Sequence, residues 1–259
     1  MFQHLPPSST ASLQQRTSPT MPTRTLPNIA ISGTPGVGKS TLCQRLATRL
    51  PSLTLLDLTS EAKPHNCRLE YDSALSCWVI DEEKLAKKLS PTLQHPGGRI
   101  IDYMHAAIWP AAAPVDLVVT VRCTDTRLLW DRYQERNYKK EKIEQNIDCE
   151  IMGDIEGENR EWFGWDEEGV EGSAAWAVLE SGTEEQMGEN VERIVKWVEE
   201  WKKVREGLGQ DEEMDVVPFA SAEVEGADDD EDEDDDEEEE EDGSADDDDD
   251  EDDDGDAKP

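Results

Sequence analysis

Gly33-Thr34-Pro35-Gly36-Val37-Gly38-Lys39-Ser40 follows the apolar run Ile29-Ala30-Ile31 and leads into Thr41-Leu42-Cys43-Gln44-Arg45-Leu46-Ala47. The first run suits a buried strand and the last a helix. The glycine-rich stretch between them has the spacing of a phosphate-binding loop. Side chains at the glycine positions would keep the backbone amides from closing around an anion. Lys39 supplies an ammonium for β- and γ-phosphates, Ser40 a hydroxyl for Mg²⁺, and the helix N-terminus adds partial positive charge. A glycine-rich turn with an exposed lysine is the ordinary alternative, but the flanking strand and helix complete the phosphate-loop pattern. Gly33, Pro35, Gly36, Val37, Gly38, Lys39, Ser40 and Thr41 are therefore read as the nucleotide-binding set.

Working outward, apolar runs that suit buried parallel strands recur at 28–32, 53–56, 99–102, 116–122 and 176–179. Helical spacing fills the gaps at 39–50, 81–89, 126–136 and 190–204. The last of these carries an apolar stripe of Val191, Ile194, Val195, Trp197, Val198 and Trp201, read as core packing. Strands alternating with helices predict an α/β fold of the P-loop NTPase class. A parallel sheet would be covered on both faces, with ligands at the carboxyl ends of its strands. Residues 57–79 show little periodicity and read as an inserted, mobile region on the acceptor side.

The ends differ from the middle. Residues 1–27 contain no acid, two arginines and many Ser, Thr, Pro and Gln, a composition that cannot bury a core. The expected organisation is a disordered extension over 1–26, a P-loop domain over 27–207 and a disordered acidic tail over 208–259. The acid-free start also resembles a transit peptide without a clear apolar face, and Met21 could serve as initiator. Between Glu223 and Asp256 stand 27 Asp and Glu with no Lys or Arg. Removing these and Lys258 from the chain's 63 acids and 25 bases leaves 36 and 24, or −12 of the formal −38. The tail is thus either a solubilising brush or a lure for basic proteins, its field reaching about 8 Å at physiological salt. Five scattered cysteines without a C-x-x-C pair read as reduced thiols, and no stretch is long enough for a membrane span.

A phosphate loop alone does not separate kinases, ATPases and switch proteins. Arg99-Ile100-Ile101-Asp102 supplies a strand ending in a carboxylate, so Asp102 joins Ser40 as a candidate for Mg²⁺, directly or through water. Arg122, Arg127, Arg132 and Arg136 cluster after the fourth apolar run, and one or two of them are expected to neutralise a transferring phosphoryl group. Arg136 leads and Arg132 follows.

These residues resemble the adenylate kinase isoenzyme 6 family. The resemblance rests on Gly33 to Thr41, Tyr71-Asp72, Ile80-Asp81-Glu82, Gly97-Gly98, Ile101-Asp102-Tyr103, Thr124-Asp125-Thr126 and the narrower signature Asn146-Ile147-Asp148-Cys149-Glu150-Ile151, and runs from about residue 26 to 203. It implies a nucleoside monophosphate kinase fold, ATP with Mg²⁺, AMP as acceptor, and both adenylate kinase and ATPase activity. It also implies a nuclear and cytoplasmic protein that assists small ribosomal subunit (18S rRNA) maturation by engaging a small-subunit ribosomal protein in the pre-ribosome. Three departures stand out. Met104 occupies the usual His position and His105 follows it, Ser60 replaces a common basic residue, and Asn137 replaces a frequent glycine between Arg136 and Tyr138. His105 is carried as the candidate water-orienting group. The competing reading is a nucleotide-gated assembly factor or chaperone with little free turnover.

Overall fold

The computed structural model describes residues 24–73, 75–94, 96–109, 114–165, 173–208 and 214–219. The expected disorder of 1–23 and of the acidic run lies outside them, as do the roles considered for that run.

Five strands form one parallel sheet: β1 (Ile29–Ser32), β2 (Thr54–Asp57), β5 (Arg99–Asp102), β6 (Leu117–Arg122) and β7 (Ala175–Glu180), in the order β2-β5-β1-β6-β7. Alternation along the strands sends Ile29, Ile31, Leu117, Val119 and Val121 into one core and Ala30, Ile101 and Val118 into the other, so both faces are buried. The first core is closed by α1 (Lys39–Arg49), α4 (Thr126–Glu135) and α7 (Glu184–Gly207), the second by α3 (Glu82–Gln94) and α6 (Asp154–Phe163). This is a P-loop fold. The chain leaves β1 toward β2 and β5 on one side and returns to β6 and β7 on the other, so the loop after β1 sits where the strand order reverses.

Several expected boundaries move for physical reasons. α3 passes through Pro91, with Leu89 and Leu93 on either side of it buried in the core, and Ser90 Oγ and Thr92 Oγ1 donate to the carbonyls of Ala86 and Leu89. α7 starts six residues before the expected 190, at a capping box in which Thr183 and Gln186 bond each other's backbone amides. The region 57–79 holds regular structure: α2 (Leu58–Glu61), then an antiparallel hairpin of β3 (Arg68–Asp72) and β4 (Cys77–Ile80). Its side chains are largely exposed, which removes the alternation that would have betrayed the strands. α5 (Lys140–Met152) likewise had no assigned element.

Packing also extends past both expected domain limits. Arg24 pairs with Asp116 at 2.5 Å, and Leu26 bridges Gly97. Beyond α7, Trp197 Nε1 donates to the Val217 carbonyl at 2.9 Å and Arg193 lies over the Phe219 ring. Met214, Val217 and Phe219 belong to the short, mostly apolar run 214–220, which sits between acidic stretches and falls within the expected tail. The five cysteines are free, and among the described residues no helix is long and apolar enough to cross a membrane.

Candidate active site

The loop between β1 and α1 is held by its carbonyls. Lys39 Nζ donates to Thr34 O at 2.7 Å, Tyr133 OH to Pro35 O at 2.5 Å, Arg132 Nη1 to Gly36 O at 2.9 Å, and Ser181 Oγ to Val37 O. A trans peptide points its N–H opposite its C=O, so the Pro35, Gly36 and Val37 carbonyls held by Tyr133, Arg132 and Ser181 turn the amides of Gly36, Val37 and Gly38 the other way, while the Thr34 carbonyl belongs to a peptide whose nitrogen is Pro35's and carries no N–H. Gly38 caps α1 with no side-chain bond, and the first turn of α1 has no acid, so the positive end of the helix stays uncompensated. Gly36 has φ +91°, and a Cβ there would stand 2.6 Å from Tyr133 Cε1. Only glycine lets Tyr133 close this tightly on the loop.

A second tether starts at Glu150 on α5, which is 4 % exposed. Its carboxylate accepts from Thr34 Oγ1 and from Cys123 N at 2.8 Å, with Arg122 Nε at 3.4 Å. Arg122 therefore serves this junction, with Glu156 at 2.9 Å and the Glu150 carbonyl at 2.7 Å. Arg127 is exposed and away from the cleft.

Pro35, Gly36, Gly38, Lys39, Ser40, Thr41, Asp102, His105 and Arg136 line one open cleft of ≈ 1320 Å³. Gly33 and Val37 are buried behind it. Arg132 and Arg136 border a smaller cleft of ≈ 560 Å³ with Gly36, Ser181, Thr183 and Met187. Parallel register sets Asp102 beside Ile31 at the end of β1 and beside Asp57 at the end of β2. The Ser40 hydroxyl lies close enough to Asp102 to favour its charged form. Burial raises the Asp102 carboxyl above its ordinary value, with the charge of Asp57 adding to the rise, while Ser40 and Lys39 pull it down. Desolvation lowers Lys39 from 10.5 to about 8, against the pull of Asp102. Arg136 ends α4 on the exposed side and pairs with no carboxylate among the described residues.

His105 also faces the cleft, but its Nδ1 lies 2.6 Å from Glu158 Oε2. Burial works to lower its pKa, and the hydrogen bond and charge of Glu158 outweigh that, so the net shift is upward. Met104 uses its carbonyl to receive the Gly33 amide at 3.1 Å. Ser60 donates to Asp57 Oδ2 at 2.6 Å and does not line the cleft. Asn137 sits at φ +55°, a conformation glycine adopts freely and asparagine tolerates, which accounts for the residue found there.

Glu150, Tyr133 and Ser181 were not assigned to the site from sequence. Glu150 stood in the signature Asn146 to Ile151 without a role, Tyr133 fell within the expected helix 126–136 without one, and Ser181 carried no signal.

A parallel sheet with a phosphate-binding loop at its switch point, a helix N-terminus free of acids and a strand-end carboxylate define a P-loop nucleotide-binding protein. Residues 29–153 match the AAA domain family. The chain is 38 % identical over 181 residues to the adenylate kinase isoenzyme 6 homolog of Caenorhabditis elegans, covering 70 % of this chain and 93 % of that one. It is 36 % identical over 177 residues to the homolog FAP7 of Saccharomyces cerevisiae, covering 68 % and 83 %. Shikimate kinase from Acinetobacter baumannii superposes with a TM-score of 0.46 at 16 % identity, over 69 % of this chain and 96 % of that one. The chain belongs to the adenylate kinase isoenzyme 6 family.

Proposed function

We propose that this protein is an adenylate kinase that transfers the γ-phosphoryl group of ATP to AMP, giving two ADP, with water as a slower acceptor. One observation carries the reading: Lys39, Ser40 and Asp102 meet inside a single cleft larger than the roughly 300–1,000 Å³ of an ordinary one-ligand site, which leaves room for an acceptor beside ATP.

In this reading the inward amides of Gly36 to Gly38 and the start of α1 hold the β- and γ-phosphates. Lys39 exchanges its bond to the Thr34 carbonyl for phosphate oxygens. The smaller cleft beside Arg132 and Thr183 receives the nucleoside half of ATP. Arg132 positions the loop through Gly36, which leaves Arg136 as the guanidinium free to reach the transferring group. An AMP phosphate oxygen attacks the γ-phosphorus, the bond to the β,γ-bridging oxygen breaks, and ADP departs carrying that charge. Preorganised donors aimed at the charge that develops lower the barrier.

A divalent cation fits the donor set. Ser40 and Asp102 would hold it, with Asp57 close by, and the like charges of the two carboxylates oppose each other until a cation relieves them. The described residues contain no three-ligand His/Cys/Asp/Glu cluster, in keeping with Mg²⁺ held by one or two carboxylates plus substrate phosphates. When bound, Mg²⁺ would neutralise the phosphate charge that repels an incoming anion.

The ion pair of His105 with Glu158 favours a second reading, in which the site gates partner binding and hydrolyses ATP slowly, because the His105 nitrogen on that side is already engaged. The wider setting, assistance to small-subunit maturation through a ribosomal protein in nucleus and cytoplasm, rests on family membership and is proposed on that ground. Measuring AMP-dependent ADP formation beside AMP-independent phosphate release on one preparation tests both readings. Lys39→Ala should abolish both activities, and a variant that kept the parent rates would sink the assignment. Negligible turnover with partner affinity that depends on nucleotide would favour the gate.

A further inference from the structure

The cationic or titratable basic side chains that line the main cleft are Lys39, Arg68, His105, Arg136 and Lys142. Lys39 and Arg136 lie at the phosphate loop, close enough to feel each other's charge. His105 is engaged by Glu158, and Lys142 Nζ lies 4.3 Å from the Tyr138 ring centroid. Arg68 is left over. It projects from β3, has no carboxylate within ion-pair distance among the described residues, and lies over the Trp78 ring, 5.5 Å from the centroid. Trp78 is the register partner of Tyr71, and their rings meet edge to face at 5.4 Å. Both rings remain half exposed, at 45 % and 52 %.

An unpaired guanidinium at the cleft is informative, because carboxylates such as Glu82, Glu141 and Glu144 line the same cleft. This cation–π contact with the indole uses none of the guanidinium's N–H donors, which stay free for a planar or tetrahedral oxyanion. The exposed aromatic surface beside it suits a base, since stacking tolerates any π-face. We infer that Arg68 and Trp78 form the acceptor wall: Arg68 binds the phosphate of the nucleoside monophosphate, and Trp78 holds Arg68 in place while offering a surface to the acceptor's base. This inference rests on the AMP-acceptor reading above and names the residues that would carry it. The hairpin is thereby tied to catalysis, with its apolar exposure explained by a substrate rather than by a missing protein partner.

The test is a pair of titrations on the full chain, varying AMP at saturating ATP and then ATP at saturating AMP. Arg68→Ala and Arg68→Gln should each raise the KM for AMP by about 10- to 100-fold, the loss expected for one charge-assisted hydrogen bond. The KM for ATP should stay within about twofold, and Arg68→Lys should fall between parent and Ala. Arg68→Gln keeps the stem over Trp78, so it separates lost charge from lost packing. AMP should also quench part of the tryptophan emission in the parent protein and lose that part in Trp78→Phe. An unchanged KM for AMP in both neutral variants, or an equal rise for ATP, overturns the inference and leaves the kinase reading standing. A parent protein that makes no ADP from AMP removes that reading, and this inference with it.

Discussion

Replacing Glu150 tests whether the buried carboxylate on α5 keeps the phosphate loop in shape. Glu150→Ala withdraws the acceptor from Thr34 Oγ1 and from the Cys123 amide, which stands 2.8 Å away. Breaking a buried charged junction by removing one partner costs about 3–5 kcal/mol. The lower end applies here, because Arg122 keeps Glu156 at 2.9 Å and the backbone carbonyl of residue 150 at 2.7 Å, and so is not left stranded. Glu150→Gln retains one acceptor oxygen and the volume, giving up the charge-assisted part of its hydrogen bonds, or about 1 kcal/mol. For a domain of this size each kcal/mol moves the thermal midpoint by about 2–4 °C, so the expected falls are roughly 6–12 °C for Ala and roughly 2–4 °C for Gln. Thermal unfolding by circular dichroism reads the first quantity. ATP affinity, measured by calorimetry well below the lowered midpoint, reads the second and should weaken in the same order, since Thr34 loses its tether. A Glu150→Ala protein that melts with the parent and binds ATP equally well would falsify the view that this carboxylate organises the loop.

Further expectations concern charge, sterics and capping. With Lys39 titrating near 8 in the free protein, only about one-tenth of the molecules carry the ammonium at pH 9, so the apparent Kd for ATP should rise about tenfold between pH 7 and 9. Lys39→Arg should flatten that dependence, and a flat parent profile refutes the assignment. The raised pKa of His105 means that its pairing with Glu158 contributes stability fully below the ordinary histidine value of 6.5, a contribution lost as pH rises through the folded value. The gap in thermal midpoint between the parent and Glu158→Gln should therefore shrink from pH 6 to pH 8, and a constant gap counts against it. Gly36→Ala forces a Cβ to 2.6 Å from Tyr133 at a positive φ, so ATP binding should drop by about tenfold or more through about 1–3 kcal/mol of strain, and unchanged affinity would show the loop to be pliable. Thr183→Ala removes the capping box of α7 and should cost about 1 kcal/mol in urea unfolding, whereas an unchanged midpoint would place the helix start elsewhere.

What the sequence made legible follows the distance over which each interaction acts. The strand, loop and helix around Gly33 to Ser40 are contiguous, and each residue type there has one physical use, so pattern alone located them. Asp102 was reachable for the same reason, since two buried residues and a polar terminus mark where β5 leaves the sheet. The capping box Thr183–Gln186 was present in the sequence but lay outside the apolar stripe that set the expected start of α7. Other contacts were hidden by separation: Glu150 is 116 residues from Thr34, and Ser181 is 144 from Val37. Nothing local announces that a serine after a strand will close on a loop carbonyl. The hairpin was hidden differently, because exposed strands lack the alternation that burial imposes.

Those long-range contacts decide how the site works as a mechanism. Pro35 and Gly36 are held by Tyr133 and Arg132, both on α4, while Thr34 is held by Glu150 on α5. Between these helices lies the turn with Arg136, Asn137 at positive φ, and Tyr138 stacked on Tyr133 at 5.7 Å. The residues that grip the loop and the residue best placed to meet the transferring phosphate thus share one helical hairpin. A phosphate that draws the loop amides inward must pull on α4 and α5 through three carbonyl or hydroxyl contacts. Moving that hairpin moves Arg136. If Arg136 serves as proposed, nucleotide occupancy and its position are coupled through these hydrogen bonds, and removing them one at a time should loosen ATP binding and phosphoryl transfer together.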